Sequence, residues 1–345
     1  MEYRKLGRTD LEVSVICLGT MNMGEQNDEQ EGHEQLDYSL DQGVNFIDTA
    51  ELYSVPPKPE TQGSTERIIG TWIKKRGRRD DFILATKIAG PAEFTKHIRT
   101  DSDFTPATLD AAIEGSLHRL QTDYIDLYQL HWPSRKTNFF GKRGYSRHDG
   151  QWEDHCLEIL RALQKHVDAG HIRYVGLSNE TPWGLSHYLH LADKHELPRI
   201  VSVQNPYSLL NRLYEVGLAE MSIREDAGLL AYSPMAFGLL SGKYHKGTDK
   251  PTDRINKYER MSRYNGANCH SATAKYLTIA EKYDLSLAQM SLAFVNQQPF
   301  LTSNIIGATT MSQLAENISS IDIELSRECL NEIEAVHEEI PNPAP

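Results

Sequence analysis

The stretch NFIDTAELY, residues 45–53, decides how the chain is read. It opens as an apolar run, Phe46-Ile47, and then sets a carboxylate, Asp48, where the run should continue. Tyr53 follows a few residues on. A surface aspartate needs no account. This one closes what reads as a buried strand, where a lone charge is costly unless it is paired. The fold depends on whether other runs end the same way.

They do. Apolar, β-branched runs recur as VSVICLGTM (13–21), VNFIDTA (44–50), FILATKI (82–88), YIDLYQLHW (124–132), IRYVGLSN (172–179), IVSVQNPY (200–207), LLAYSPM (229–235) and SNIIGAT (303–309). They are near-continuous rather than alternating, as parallel strands covered on both faces should be. Helical patterns lie between them. Pro106 after Thr105 suits a first helical position, and Leu109, Ile113, Leu117 and Leu120 form one stripe. Leu157, Leu160, Leu163 and Val167 form another that stops at Gly170. Thr310 with Gln313 predicts a capping box.

Strands alternating with helices indicate parallel βα units, for which a doubly wound sheet and a closed barrel compete. The eight runs match a barrel's repeat number. No two of the 23 glycines stand two residues apart, so the G-x-G-x-x-G turn of a dinucleotide sheet is missing. The expected fold is α/β: a single (β/α)8 TIM barrel domain over residues 1–345. A hairpin at 1–12, turning at Gly7-Arg8-Thr9-Asp10, would cap the bottom. A C-terminal extra helix at 325–340 would turn Leu330, Ile333 and Val336 inward. Polar loops at 54–63, 133–151 and 236–268 then share the strands' carboxyl-end face, where barrels build sites.

Composition narrows the partners. A net charge of −12 and a pI near 5.6 argue against nucleic acid or an anionic membrane. No apolar run is long enough to span a bilayer, and the charged start MEYRKLGRTD is no signal peptide. Four widely spaced cysteines read as reduced thiols in a cytoplasmic protein. His187 and His190 share a helical spacing with nothing acidic arranged beside them, so no metal site is expected. No heptad or exposed apolar stripe declares an interface, and a homo-oligomer is left open.

The strand ends carry the chemistry. The second run ends in Asp48, the third in Lys87 and the fourth in His131. The fifth ends in Ser178-Asn179, the sixth in Gln204-Asn205 and the seventh in Tyr232-Ser233. Singly, each has a bland reading: an Asp–Lys pair can be structural, and a strand-end histidine is more often a satisfied core residue. Together on one barrel mouth they make a general acid. Asp48 would keep Lys87 charged, Lys87 would draw down the pKa of the Tyr53 phenol, and His131 would orient a carbonyl. No nucleophile elbow and no metal-ligand cluster is apparent. A carbonyl protonated by such an acid needs a hydride from a cofactor.

These residues resemble the aldo-keto reductase superfamily. FIDTAELY resembles its Asp-to-Tyr segment, ATK its lysine strand and LYQLHWP its histidine strand. GLSNE, VQNPYSLLNR, AYSPMAFGLLSGKY and IIGATTMSQLAENI resemble its cofactor blocks, in the family's order, and the match covers roughly residues 1–340. The loop VPPKPETQG and the run ADKHELPRIVSVQNPYSLLNR look most like the Tas-type bacterial reductases, related to potassium-channel beta subunits.

The resemblance implies NADPH/NADP+ as cofactor and a small-molecule carbonyl as substrate. It makes Tyr53 the proton donor, with Asp48 and Lys87 in support and His131 on the carbonyl. Ser178, Asn179 and Gln204 would hold the nicotinamide carboxamide, and Tyr232 would stack on the ring. Ser233, Pro234, Met235, Ala236 and Gly238, with Lys243, would wrap the pyrophosphate, and Arg254 would approach the 2′-phosphate. Gly307, Thr309, Gln313, Glu316 and Asn317 would receive the adenosine end, at a helix N-terminus suited to anions. Gly19, Thr20 and Met21 would line the site from the first strand, Met21 standing where the channel subunits have Trp. From the residues themselves, Trp132 and Tyr207 suggest an aromatic-walled substrate pocket, with ordinary core packing as the alternative for either. Two rivals stand beside the reductase: a redox-sensing binding subunit, and a metal-dependent barrel enzyme.

Overall fold

The structure, a computed structural model, describes residues 1–100, 103–145, 154–258 and 263–345. Of the expected mouth loops, residues 146–151 and 259–262 lie outside the described residues. An antiparallel pair comes first, β1 (Tyr3–Lys5) and β2 (Glu12–Ser14). Eight parallel strands follow: β3 (Ile16–Gly19), β4 (Phe46–Asp48), β5 (Ile83–Ile88), β6 (Ile125–Leu130), β7 (Ile172–Ser178), β8 (Ile200–Pro206), β9 (Gly228–Tyr232) and β10 (Leu301–Ile306). They close into a barrel in the order β10-β3-β4-β5-β6-β7-β8-β9. The chain is therefore a (β/α)8 TIM barrel.

Helices α1 (Glu29–Asp41), α2 (Ser64–Arg76), α3 (Pro106–Leu120), α4 (Cys156–Asp168), α5 (Pro182–His195) and α6 (Tyr214–Glu225) fill the first six crossovers. The seventh holds two short helices, α7 (Lys243–Lys246) and α8 (Arg254–Lys257), then α9 (Ala267–Lys282) and α10 (Leu287–Asn296). After β10 come α11 (Met311–Ser319) and the extra helix α12 (Arg327–Glu339).

Two patterns inside the barrel position the site. The lumen is filled at the strands' amino ends by Cys17, Phe46, Ile83, Leu127, Val201 and Leu230. Leu6, Leu11 and Val13 of the hairpin pack into the same cluster and plug the bottom. The hairpin turn needs glycine: Gly7 has φ +59°, and a Cβ there would meet Val201 O at 2.6 Å. Moving along the same inward-facing positions, Phe46 gives way to Asp48, Ala85 to Lys87, and Leu127 to Gln129. Side chains alternate faces along a strand, so an apolar floor and a polar rim share one column.

Several local expectations shift. The first barrel strand starts at Ile16, not Val13, because Val13 and Ser14 pair with Arg4 and Tyr3 in the hairpin. In α4 the buried face is Cys156, Ile159, Leu160, Leu163 and His166, while Leu157 and Val167 are only half buried. Thr310 does cap α11, accepting from Gln313 N at 3.3 Å. The reciprocal half lands one residue early, since Gln313 Oε1 accepts from Thr309 N and Thr309 Oγ1, both at 3.0 Å. In α12, Cys329, Ile333 and Val336 are buried and Leu330 half buried. An apolar stripe does reach the surface: Leu213, Val216 and Ile223 stand exposed along α6. Among the described residues no helix is long and apolar enough to cross a membrane.

Candidate active site

Strand register brings the four expected catalytic side chains to one mouth. Asp48 pairs with Ala85, two residues short of Lys87, and Lys87 pairs with Gln129, two residues short of His131. Lys87 Nζ sits 2.6 Å from Asp48 Oδ1 and donates to Thr49 O at 2.8 Å. It also donates to Tyr53 Oη at 3.4 Å and lies 4.8 Å from the centre of that ring. The His131 ring meets Tyr53 edge-on, with centroids 5.6 Å apart. Asp48 and Lys87 are buried, His131 nearly so, and Tyr53 is half buried.

The electrostatics differ from the expectation at one point. Burial pushes the Tyr53 phenol up, and Lys87 only partly draws it back, so its pKa ends above the usual value. The ammonium is already engaged by Asp48 and Thr49 O, and its contact with Oη is the longest of the three. Burial also lowers Lys87, but Asp48 and Tyr53 outweigh it and the ammonium stays charged. Burial, helped by Lys87, holds His131 well below the usual imidazole value. At neutral pH the mouth holds a protonated phenol, a charged lysine and a neutral imidazole. That set can donate a proton to an oxygen and stabilise the charge left behind.

Next to these four stand Ser178, Asn179, Gln204 and Tyr232. Ser178 Oγ donates to Gln204 O at 2.8 Å, Asn179 Nδ2 to His131 O at 2.9 Å, and Tyr232 Oη to Asn179 Oδ1 at 2.6 Å. Gln204 Nε2 donates to Asp48 Oδ2 at 2.8 Å. On the other side, Thr20 N and Oγ1 both donate to Asp48 O, at 3.1 and 2.9 Å, with Gly19 and Met21 flanking it. The chain after β9 turns through left-handed backbone at Ser233, Ala236, Phe237 and Gly238, with Pro234 and Met235 between. Side chains other than glycine hold that conformation only in a small minority of positions.

The basic residues of that loop fare differently. Lys243 lies beside Gly238 and pairs with Asp253 at 2.6 Å. Arg254 has no carboxylate partner among the described residues. It bonds Asn22 Oδ1 and Gln26 Oε1 and lies over the Phe237 ring. Burial pulls its pKa down to about 10, which leaves it charged at pH 7. Asn22 Nδ2 in turn donates to Ala308 O, linking Arg254 to the β10–α11 turn. There Asn317 Nδ2 bonds Gly307 O, Gln313 bonds Thr309, and Glu316 sits one turn in from the helix start.

The expected aromatic wall is rearranged. Trp132 has no exposed surface; its indole donates to Pro91 O at 3.3 Å. It backs a layer formed by Phe94, Phe139 and Phe140, at centroid distances of 5.6, 6.5 and 5.5 Å. Tyr207 lies away from the mouth, fully buried against Phe294 and Phe300 and bonded to Glu215. Sequence reading missed Gln129, Asn22 and Glu25. Glu25 gathers Lys58 at 2.8 Å and Tyr258 Oη at 3.1 Å, tying three mouth loops. Their partners lie far off in sequence, and no spacing signals them.

Asp154 does stand beside His187, contrary to expectation: Oδ2 is 2.9 Å from Nε2, and Cys156 lies near both. This cluster belongs to α4 and α5, outside the four mouth residues, and Asp154 Oδ1 caps Cys156 N at 3.0 Å. A broad surface groove lined by Arg67, Arg119, Tyr124 and His171 includes none of the four either.

The parallel barrel gathers an Asp–Lys pair, a phenol and an imidazole at one rim, and comparison with known proteins makes the chain an oxidoreductase. The sequence pattern of the Aldo/keto reductase family matches residues 15–338. The chain belongs to the aldo/keto reductase family. It is 52% identical to the "Protein tas" of Escherichia coli (strain K12), with 100% of each chain covered. It is 35% identical to the "Uncharacterized oxidoreductase YrpG" of Bacillus subtilis (strain 168), covering 96% of this chain and 94% of that one. A "Probable voltage-gated potassium channel subunit beta" of Arabidopsis thaliana is 28% identical, covering 94% of this chain and 92% of that one.

Proposed function

We propose that the protein is an NADPH-dependent reductase that converts aldehyde or ketone carbonyls to alcohols, with Tyr53 as general acid. The observation that carries this reading is Lys87, fixed by Asp48 and standing 3.4 Å from the Tyr53 hydroxyl. Tyr53 Oη donates its proton to the substrate oxygen, and Lys87 stabilises the phenolate left behind. His131, neutral, has one N–H to offer the same oxygen.

The residues present fit a nicotinamide cofactor, which supplies the hydride when bound. Gln204 Oε1 has no partner among the described residues, Ser178 Oγ bonds the Gln204 backbone carbonyl, and Asn179 and Tyr232 bond each other beside His131. These would hold the carboxamide and the ring. Ser233, Pro234, Met235, Ala236, Gly238 and Lys243 would take the pyrophosphate, and Gly307, Thr309, Gln313, Glu316 and Asn317 the adenosine. Gly19, Thr20 and Met21 would line the near side. The charged Arg254, with no carboxylate partner among the described residues, supports a 2′-phosphate and hence NADPH over NADH. The substrate would sit between Tyr53 and His131, over the layer that Trp132 backs.

Tyr53→Phe should lower turnover by about 10²-fold or more, with NADPH affinity within a few-fold of the unaltered protein. Retained carbonyl reduction overturns the mechanism. NADPH should bind at least about tenfold more tightly than NADH, and equal dissociation constants refute the part given to Arg254. A second reading rests on the likeness to proteins named as channel subunits: a redox-sensing subunit held by a partner. Such a protein would consume cofactor slowly or not at all across a panel of short aldehydes and quinones.

A further inference from the structure

Asp48 has a second oxygen that Lys87 does not use, and the groups around it form a closed triangle. Gln129 Nε2 donates to Asp48 Oδ2 at 3.2 Å, and Gln204 Nε2 donates to the same oxygen at 2.8 Å. Gln204 Nε2 also donates to Gln129 Oε1 at 3.2 Å. All three side chains are buried. An ionised carboxylate only accepts, so the triangle has one consistent direction. Gln129 must turn its nitrogen to Asp48 and its oxygen to Gln204. Gln204 must then spend both N–H groups inward, one on Asp48 and one on Gln129. Only its carbonyl oxygen is left for anything that enters the mouth.

We infer that Gln129 is a positioning residue that, with Asp48, makes Gln204 a pure hydrogen-bond acceptor and so selects a cofactor ring bearing a carboxamide N–H. This rests on the reading of Gln204 as a carboxamide holder. Gln129 touches neither cofactor nor substrate; it acts through Gln204. A ring carrying an acetyl or carboxylate group in place of the carboxamide has no N–H to give: the acetyl would set a methyl against the Gln204 carbonyl, and the carboxylate an oxygen. A buried polar group left unpaired discriminates strongly.

The test compares dissociation constants of NADP+, its acetylpyridine analogue and its nicotinic acid analogue. In the unaltered protein the acetylpyridine analogue should bind about tenfold more weakly than NADP+, and the carboxylate analogue more weakly still. Equal binding of NADP+ and the acetylpyridine analogue overturns the inference, whatever any variant does. Gln129→Met removes one of the two acceptors that hold Gln204 Nε2 inward, so the amide can turn and offer an N–H to an acetyl oxygen. The preference for NADP+ over the acetylpyridine analogue should therefore shrink by about threefold or more. A variant that weakens both equally shows a merely structural role and overturns the inference. NADP+ failing to bind the unaltered protein at all would overturn the functional reading itself, and this inference with it.

Discussion

Burial raises the Tyr53 phenol and Lys87 lowers it, and the sum decides when the acid is usable. The net pKa lies above the ordinary tyrosine value of about 10, so the proton stays on Oη throughout the physiological range. His131 is held well below its usual value and does not titrate there either. In the mechanism we propose, carbonyl reduction needs the protonated phenol. Its kcat should therefore be flat from about pH 7 to about pH 10 and fall only above that, as the phenol ionises. A kcat profile with a break between pH 7 and pH 8 would contradict the assignment of these two groups. Lys87 and Asp48 were legible because each interrupts an apolar run at a strand's end. Gln129 was not: it lies two residues before His131, and a glutamine inside LYQLHW carries no mark of the carboxylate that it meets 81 positions earlier in the chain.

At the scale of elements, the mouth depends on loops that buried ion pairs stitch together. Arg99, in the chain after β5, bonds both oxygens of Glu51 in the chain after β4. Ala89 N donates to the same carboxylate at 2.6 Å. Arg135 grips Glu180 likewise, between the loops after β6 and β7. The Glu51 side chain is 1% exposed, so removing its partner strands a charge. Arg99→Met should destabilise the fold by about 3–5 kcal/mol, read from urea denaturation. Glu51→Gln added to that variant should recover part of the loss, because an amide is cheaper to bury than a carboxylate. No loss in the single variant would mean that water reaches Glu51. Strands and their order were legible from the repeated apolar runs and their polar ends. Helix phase was less so, as α4 shows: Cys156 and His166 turn inward at positions where leucine spacing put Leu157 and Val167. Loop partners were illegible, because Glu25 with Tyr258 or Arg99 with Glu51 meet only once the barrel has closed.

The molecule as a whole separates what holds it from what it does. The hairpin end of the lumen is an apolar plug built by Leu6, Leu11 and Val13 against Cys17, Phe46 and Leu230. The other end of the same strands carries the Asp48, Lys87 and His131 side chains. Strand continuity joins the two ends, but among the described residues no hydrogen bond or ion pair links a side chain of the plug to the four at the mouth. Leu6 is fully buried, and Leu6→Ala should open a cavity and remove about 2–5 kcal/mol of stability. The melting temperature should drop accordingly. Among the described residues no hydrogen bond or ion pair joins Leu6 to the four, so kcat and KM for carbonyl reduction, measured well below the new melting point, should stay within about twofold. A matched loss of kcat would mean that the plug sets the tilt of the strands and, through them, the distance between Lys87 and Tyr53. Stability could then no longer be altered at the bottom of the barrel without disturbing the acid at its mouth.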